Sequence, residues 1–111
     1  MDSIRQNKVS RLLQKELGQM FLKEGSTFVT GGMITVTVVR VSPDLGLAKV
    51  YLSIFPSNLA EAAIEQVNSS SKNLRFLLGK RIRHQLRVVP DLAFYIDDSL
   101  DYAERIDDLL K

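Results

Sequence analysis

The residues most able to do chemistry lie in one basic segment, residues 72–89, with the sequence KNLRFLLGKRIRHQLRVV. It holds six cations and no acid, and the cations are Lys72, Arg75, Lys80, Arg81, Arg83 and Arg87. Clustered positive charge binds phosphates with salt-dependent affinity that is largely indifferent to base sequence. On a helix, Phe76 would project with most of these cations, where a base could stack on its ring. The segment favours RNA binding over a solvated helix face.

Other chemistry is poorly supported. The chain has one histidine, His84, which lies among arginines with no orienting carboxylate nearby in sequence, so a Ser-His-acid site is not expected. The acidic pairs 97–98 and 107–108 flank a predicted last helix, where capping and solvation explain them. The absence of cysteine excludes disulfides and thiolate metal sites, and no Walker or GxGxxG loop occurs. We therefore expect a non-enzyme without metal or cofactor.

Bulk composition indicates one globular domain spanning residues 1–111, with 45% hydrophobic and 25% charged residues. No apolar run approaches the roughly 20 residues of a membrane helix. The first ten residues do not resemble a signal peptide, so a cytoplasmic protein is expected. Residues 1–90 carry a formal charge of +7 and residues 91–111 one of −5, within a net charge of +2. This asymmetry predicts a basic face for a polyanion and an acidic tail that does not touch it.

The elements that must position the basic segment can be predicted from periodicity. Residues 4–23 form a predicted helix with an apolar face, and its cations Lys8, Arg11 and Lys15 lie roughly opposite that face. Gly25 is expected to end this helix. Residues 33–41 are β-branched almost throughout, and residues 47–54 alternate apolar with polar, so both are predicted strands of an antiparallel hairpin.

The second half predicts a helix from an Asn58 cap to residue 67, an interruption at residues 68–71, and a helix over residues 72–84. Residues 86–96 form a predicted third strand, with Pro90 marking a bulge or an edge. A last helix is expected from residue 98 or 99. The order α-β-β-α-α-β-α predicts an α+β fold in which helices cover one face of a three-stranded sheet. The residues expected to be buried on that face are Ile34, Val36, Val38, Val50, Leu52, Leu92, Phe94 and Ile96.

Three stretches resemble the ribosome-binding factor A family. Residues 41–53 hold the strand-turn-strand pattern VSPDL followed by AKVYLS, residues 78–83 read LGKRIR, and residues 86–99 contain LR, PDLAF and DDS. Residues near both ends fit as well, so the similarity spans essentially the whole chain in order. The resemblance implies a single-domain type II KH-like fold, in which a helix-kink-helix replaces the usual nucleotide-clamping GxxG loop. The kink would match Ser70-Ser71-Lys72, where Lys72 departs from the family's glycine.

The function implied by the resemblance is binding to the small (30S) ribosomal subunit through 16S rRNA. It would aid late maturation, including rRNA 5′-end processing, with a role in the cold. The implied protein is a monomer that does not bind membranes and is released by an assembly GTPase or initiation factor. Two rivals stay open, a general single-stranded nucleic-acid binder and a protein-interaction adaptor. The predicted RNA-binding residues are those of the basic segment with Lys8, Arg11, Lys15, Arg40 and Lys49.

Overall fold

The computed structural model describes residues 3–97, and within them three helices pack against a three-stranded sheet. The elements in chain order are α1 (Ile4–Phe28), β1 (Met33–Val41), β2 (Leu47–Phe55), α2 (Ala60–Ser69), α3 (Ser71–Ile82) and β3 (Asp91–Ile96). A 3₁₀ turn, Ser57–Leu59, leads into α2. The α+β prediction is confirmed. The predicted last helix lies outside the described residues.

The sheet has the strand order β1-β2-β3, with β2 in the centre. β1 pairs with it antiparallel, which confirms the predicted hairpin, and β3 pairs with it parallel. Alternate residues of each strand are buried, among them Ile34, Val50 and Phe94. The helices therefore cover one face of the sheet, while the opposite face carries the exposed alternate residues.

A β-bulge at Thr37 corrects the predicted pattern of buried residues in β1. The pairing passes from Val36 opposite Leu52 to Val38 opposite Tyr51, so one extra residue stands in β1. The extra residue reverses the alternation beyond it. Val38 is consequently 38% exposed on the open face, and the prediction that it is buried was wrong.

Helix α1 begins where predicted and ends later than predicted. The Ser3 hydroxyl accepts the backbone N–H of Gln6, and the Gln6 side chain accepts the Ser3 backbone N–H in return, which forms a capping box. The Gln6 amide also donates to the Val41 carbonyl at 2.9 Å, which ties the start of α1 to the end of β1. Gly25 does not end the helix because it is buried against β1, and this packing outweighs its low helix propensity.

Two further boundaries differ from the predictions. The residue before α2 is Leu59, and no side chain caps this helix, so the predicted Asn58 cap was wrong. The third strand begins at Asp91, and residues 86–90 precede it as irregular chain. Pro90 is fully buried immediately before β3, and β3 is an edge strand, as its proline suggested.

The hairpin turn is held by its own side chains. The Ser42 hydroxyl donates to the Asp44 carboxylate at 2.7 Å, and the Gly46 N–H donates to the same oxygen at 3.0 Å. These two bonds, the Ser42 bond first, lower the pKa of Asp44 below its ordinary value. Leu45 takes a positive φ of 61°, which is uncommon for a residue with a Cβ. The turn is also bonded to the start of β3, because the Asp91 N–H donates to the Gly46 carbonyl.

Candidate RNA-binding surface

The break between α2 and α3 lies at Ser70, inside the predicted interruption. Its backbone leaves helical geometry at ψ 9°, and its N–H is shared between the carbonyls of Gln66 and Val67, both at 3.1 Å. The Ser70 side chain makes no capping hydrogen bond, so serine side-chain competition does not account for the kink. Lys72 lies in the first turn of α3 with helical geometry, so the family's glycine is not required there.

A side chain that the sequence analysis did not single out fixes the kink against the sheet. The Asn68 amide donates to the Phe94 carbonyl, and its oxygen accepts the Phe94 N–H, both at 2.9 Å. It thereby pairs with the outer edge of β3 as a neighbouring strand would. Asn68 is the penultimate residue of α2 and lies in the interruption predicted over residues 68–71, but the sequence gives no sign of its partner in β3.

The basic segment forms a groove between α3 and the chain that leads into β3. The groove has a volume of about 720 Å³ and includes five cations in its lining, Lys72, Arg75, Lys80, Arg83 and Arg87. One carboxylate, Asp91, also lines it and forms an ion pair with Arg75 at 3.5 Å. The excess of positive charge makes this groove suitable for a polyanion.

The wall of the groove opposite α3 is formed by residues 86–90, and its position depends on Arg75 and Gly79. The Arg75 guanidinium donates to the Val89 carbonyl at 2.8 and 3.0 Å and to the Pro90 carbonyl at 3.3 Å. A Cβ at Gly79 would lie 3.3 Å from a methyl group of Val89, so glycine allows the close approach. Residues 86–90, predicted as strand, instead form this wall. Arg75 therefore shapes the groove as well as lining it.

Exposed apolar side chains stand among the cations. Phe76 is 60% exposed on α3, and Val88 is 69% exposed on the opposite wall. The Lys80 ammonium lies 4.7 Å from the centroid of the Phe76 ring, a cation–π contact. An exposed ring beside several cations can stack on an unpaired base while the cations bind its phosphates.

Arg81 points away from the groove, towards α1. Its guanidinium donates to the Glu16 carboxylate at 2.9 Å and to the Gln19 side-chain oxygen at 2.6 Å. The acid absent from the basic segment is therefore supplied by α1. Arg81 joins α3 to α1 and so holds the groove helix in place.

The other predicted cations lie on two further surfaces. Lys8, Arg11 and Lys15 are exposed on α1, away from its buried stripe. Arg40 and Lys49 are exposed on the strands of the hairpin, directly opposite each other. They lie on the face of the sheet that the helices leave open. The structure therefore does not join these two residues to the groove.

Within residues 3–97 the structure holds no group of three or more His, Cys, Asp or Glu side chains that could bind a metal ion. His84 is exposed at the end of α3, in a turn. No helix in the same part of the chain is long and apolar enough to cross a membrane.

The two arginines at the end of α3 should differ in their effect on stability. We expect Arg81→Ala to lower the free energy of unfolding by about 1–2 kcal/mol, because it removes an ion pair and a hydrogen bond between helices. Arg83→Ala, the matched control, should change it by less than about 0.5 kcal/mol. Urea denaturation measures both. Equal losses for the two variants would contradict the assignment of Arg81 to the helix interface.

Comparison with known proteins identifies the family. The model of the family "Ribosome-binding factor A" matches residues 5–110. A ribosome-binding factor A of Cytophaga hutchinsonii is 47% identical over 110 residues, which cover 99% of this chain and 83% of the relative. That of Prosthecochloris aestuarii is 46% identical over 110 residues, with 98% and 88% covered.

Solved structures share the fold. The crystal structure of ribosome-binding factor A from Thermus thermophilus superimposes with a TM-score of 0.68, at 22% identity, over 82% of this chain and 94% of the other. A Thermus thermophilus homology model fitted into a cryo-EM map of a 30S complex gives 0.65 at 24% identity, over 78% and 89%. With the family model and the curated relatives in agreement over nearly the full chain, this protein belongs to the ribosome-binding factor A family.

Proposed function

We propose that this protein is a non-catalytic assembly factor that binds the small ribosomal subunit through 16S rRNA. The observation that carries the proposal is the groove beside α3, where five cations surround an exposed aromatic ring in a member of this family. A relative whose fold is the same has been fitted into a map of a 30S complex, which supports the small subunit as partner.

The groove would bind the rRNA backbone. Lys80, Arg83 and Lys72 are exposed along one side of α3, at a spacing that lets several phosphates be neutralised together. Lys72 lies in the first turn of α3, where a cation is unfavourable next to the positive end of the helix dipole. Helix stability does not explain its position, whereas an anionic ligand does.

Unpaired rRNA suits the groove better than a duplex does. Phe76 offers a stacking surface that a base can reach after it leaves its helix. Lys8, Arg11 and Lys15 would extend the contact along α1, which Arg81 holds next to α3. The bound protein would favour one conformation of a flexible rRNA region without making or breaking bonds.

The finer functions of the family are part of the proposal. The protein would act in the cytoplasm, as a monomer, on late precursors of the small subunit. It would aid processing of the 16S rRNA 5′ end, with the largest effect in the cold. An assembly GTPase or an initiation factor would release it from the mature subunit.

Removing two groove cations should weaken subunit binding. We expect Lys80→Ala combined with Arg83→Ala to lower affinity for small subunits about tenfold or more and to flatten its salt dependence by about 1–2 phosphate contacts. Co-sedimentation with small subunits, large subunits and joined ribosomes over a salt series measures both quantities.

The control variant has the same change in net charge, but the substituted residues lie outside the groove. Ala62→Glu combined with Thr30→Glu also lowers the charge by two, on exposed residues outside the groove. This variant should bind nearly as well as the wild type. Similar losses in both variants would point to net charge alone, and no preference for small subunits in the wild type would contradict the proposal.

Maturation of the rRNA should follow subunit binding. In bacteria that lack the factor, grown in the cold, we expect 16S precursors with an unprocessed 5′ end to accumulate, and the wild-type chain to remove them. The Lys80→Ala, Arg83→Ala variant should do so poorly, and the Ala62→Glu, Thr30→Glu variant should do so well. Primer extension on the precursor measures the outcome. If the Lys80→Ala, Arg83→Ala variant removed the precursors as well as the wild type does, the groove would not be required for maturation of the rRNA.

A further inference from the structure

The open face of the sheet carries aromatic and basic side chains in adjacent rows. Across the three strands, Val38, Tyr51 and Tyr95 form one row, because Val38 pairs with Tyr51 and Tyr51 with Tyr95. The next row contains Arg40, Lys49 and Ala93 in the same manner. The bulge at Thr37 creates this arrangement, since it brings both Val38 and Arg40 to the open face.

The two tyrosines form a stacked pair of rings on the open face. Their rings are stacked with centroids 5.6 Å apart and planes 29° apart. Tyr95 is 44% exposed although it is a large ring on a strand of the sheet, and Tyr51 is half-buried beside it. Bases stack readily on such rings, and the contact tolerates any base because each has a π-face.

The positions of the two cations beside the tyrosines are unfavourable for the stability of the sheet. Like charges directly opposite each other on neighbouring strands destabilise a sheet, and Arg40 lies directly opposite Lys49. Neither belongs to the ion pairs Arg75–Asp91 and Arg81–Glu16. An anion bound between them would relieve the repulsion, so the pair fits a polyanionic ligand better than it fits the stability of the sheet.

Asp97, the residue directly after β3, places a carboxylate beside this face. It lines a shallow depression of about 360 Å³ together with Val38, Arg40 and Tyr51. The carboxylate accepts the Thr37 hydroxyl at 2.5 Å, so it is held at the bulge.

We propose that the open sheet face is a second RNA-binding surface, specific for unpaired nucleotides. A base stacks on the exposed ring of Tyr95 and so extends the Tyr51–Tyr95 stack, and phosphates bind Arg40 and Lys49. This surface and the groove beside α3 lie on opposite sides of the sheet, so one protein can hold two rRNA segments at once. That the ligand is RNA rests on the proposed function. The position of the site rests on the sheet alone.

The test measures binding of a fluorescein-labelled single-stranded RNA of about 12 nucleotides to the full chain by fluorescence anisotropy. Tyr95→Ala should weaken binding on the order of tenfold, the equivalent of one lost stacking contact. Tyr95→Phe, the matched control, retains the ring and should bind within about twofold of the wild type. Arg40→Gln combined with Lys49→Gln should flatten the salt dependence without removing the stacking contact.

Independence from the groove is tested in the same assay. The weakening caused by Tyr95→Ala should persist in the Lys80→Ala, Arg83→Ala background, because the two surfaces do not share a residue. A duplex of the same sequence should bind no more weakly to Tyr95→Ala than to the wild type, since its bases are not available for stacking.

Three outcomes would overturn the inference. Unchanged affinity of Tyr95→Ala would exclude the stacking contact, and equal losses in Tyr95→Ala and Tyr95→Phe would assign the effect to the hydroxyl group. A salt dependence of the double Gln variant that equals that of the wild type would exclude the phosphate contacts of Arg40 and Lys49. None of these outcomes alters retention of the wild type on small subunits, which tests the proposed function separately.

Discussion

One-sided burial of the three-stranded sheet is the constraint on which the rest of this structure depends. A sheet of three strands is stable when one face packs against helices, and here α1, α2 and α3 all pack on the same face. Charged residues on the strands are then confined to the open face, and those on the helices to the outer side. The basic residues are divided between these two sides before any ligand is considered.

The shape of the groove follows from how the chain returns to the sheet edge. After α3 the chain must reach β3, and Arg75 holds the intervening residues by their carbonyl groups. Asn68 fixes the kink to the backbone of β3 in the same region, and Arg81 fixes α3 to α1. The side chains of Arg75, Asn68 and Arg81 thus position the cations Lys72, Lys80 and Arg83, which line the groove.

Much of this could be predicted from the sequence, because periodicity records burial. The hairpin, the apolar stripe of α1 and an interruption within residues 68–71 are confirmed, and so is the family. The bulge at Thr37 was missed because β1 is β-branched almost throughout, so its composition gives no sign of a change in alternation. Arg75 and Arg81 were not separated from the other cations because their partners, Val89 and Glu16, are brought close only by the fold.

The central claim is that the groove beside α3 faces rRNA, and directed hydroxyl-radical cleavage tests it most directly. The natural chain has no cysteine, so one introduced residue can carry a tethered iron chelate. Asn73→Cys places it on α3 next to Lys72, and Thr30→Cys places it in the exposed turn after α1. On small subunits, we expect strong, localised cleavage of 16S rRNA from position 73 and weak cleavage from position 30. No cleavage from position 73, in a variant that still co-sediments with the subunit, would contradict it.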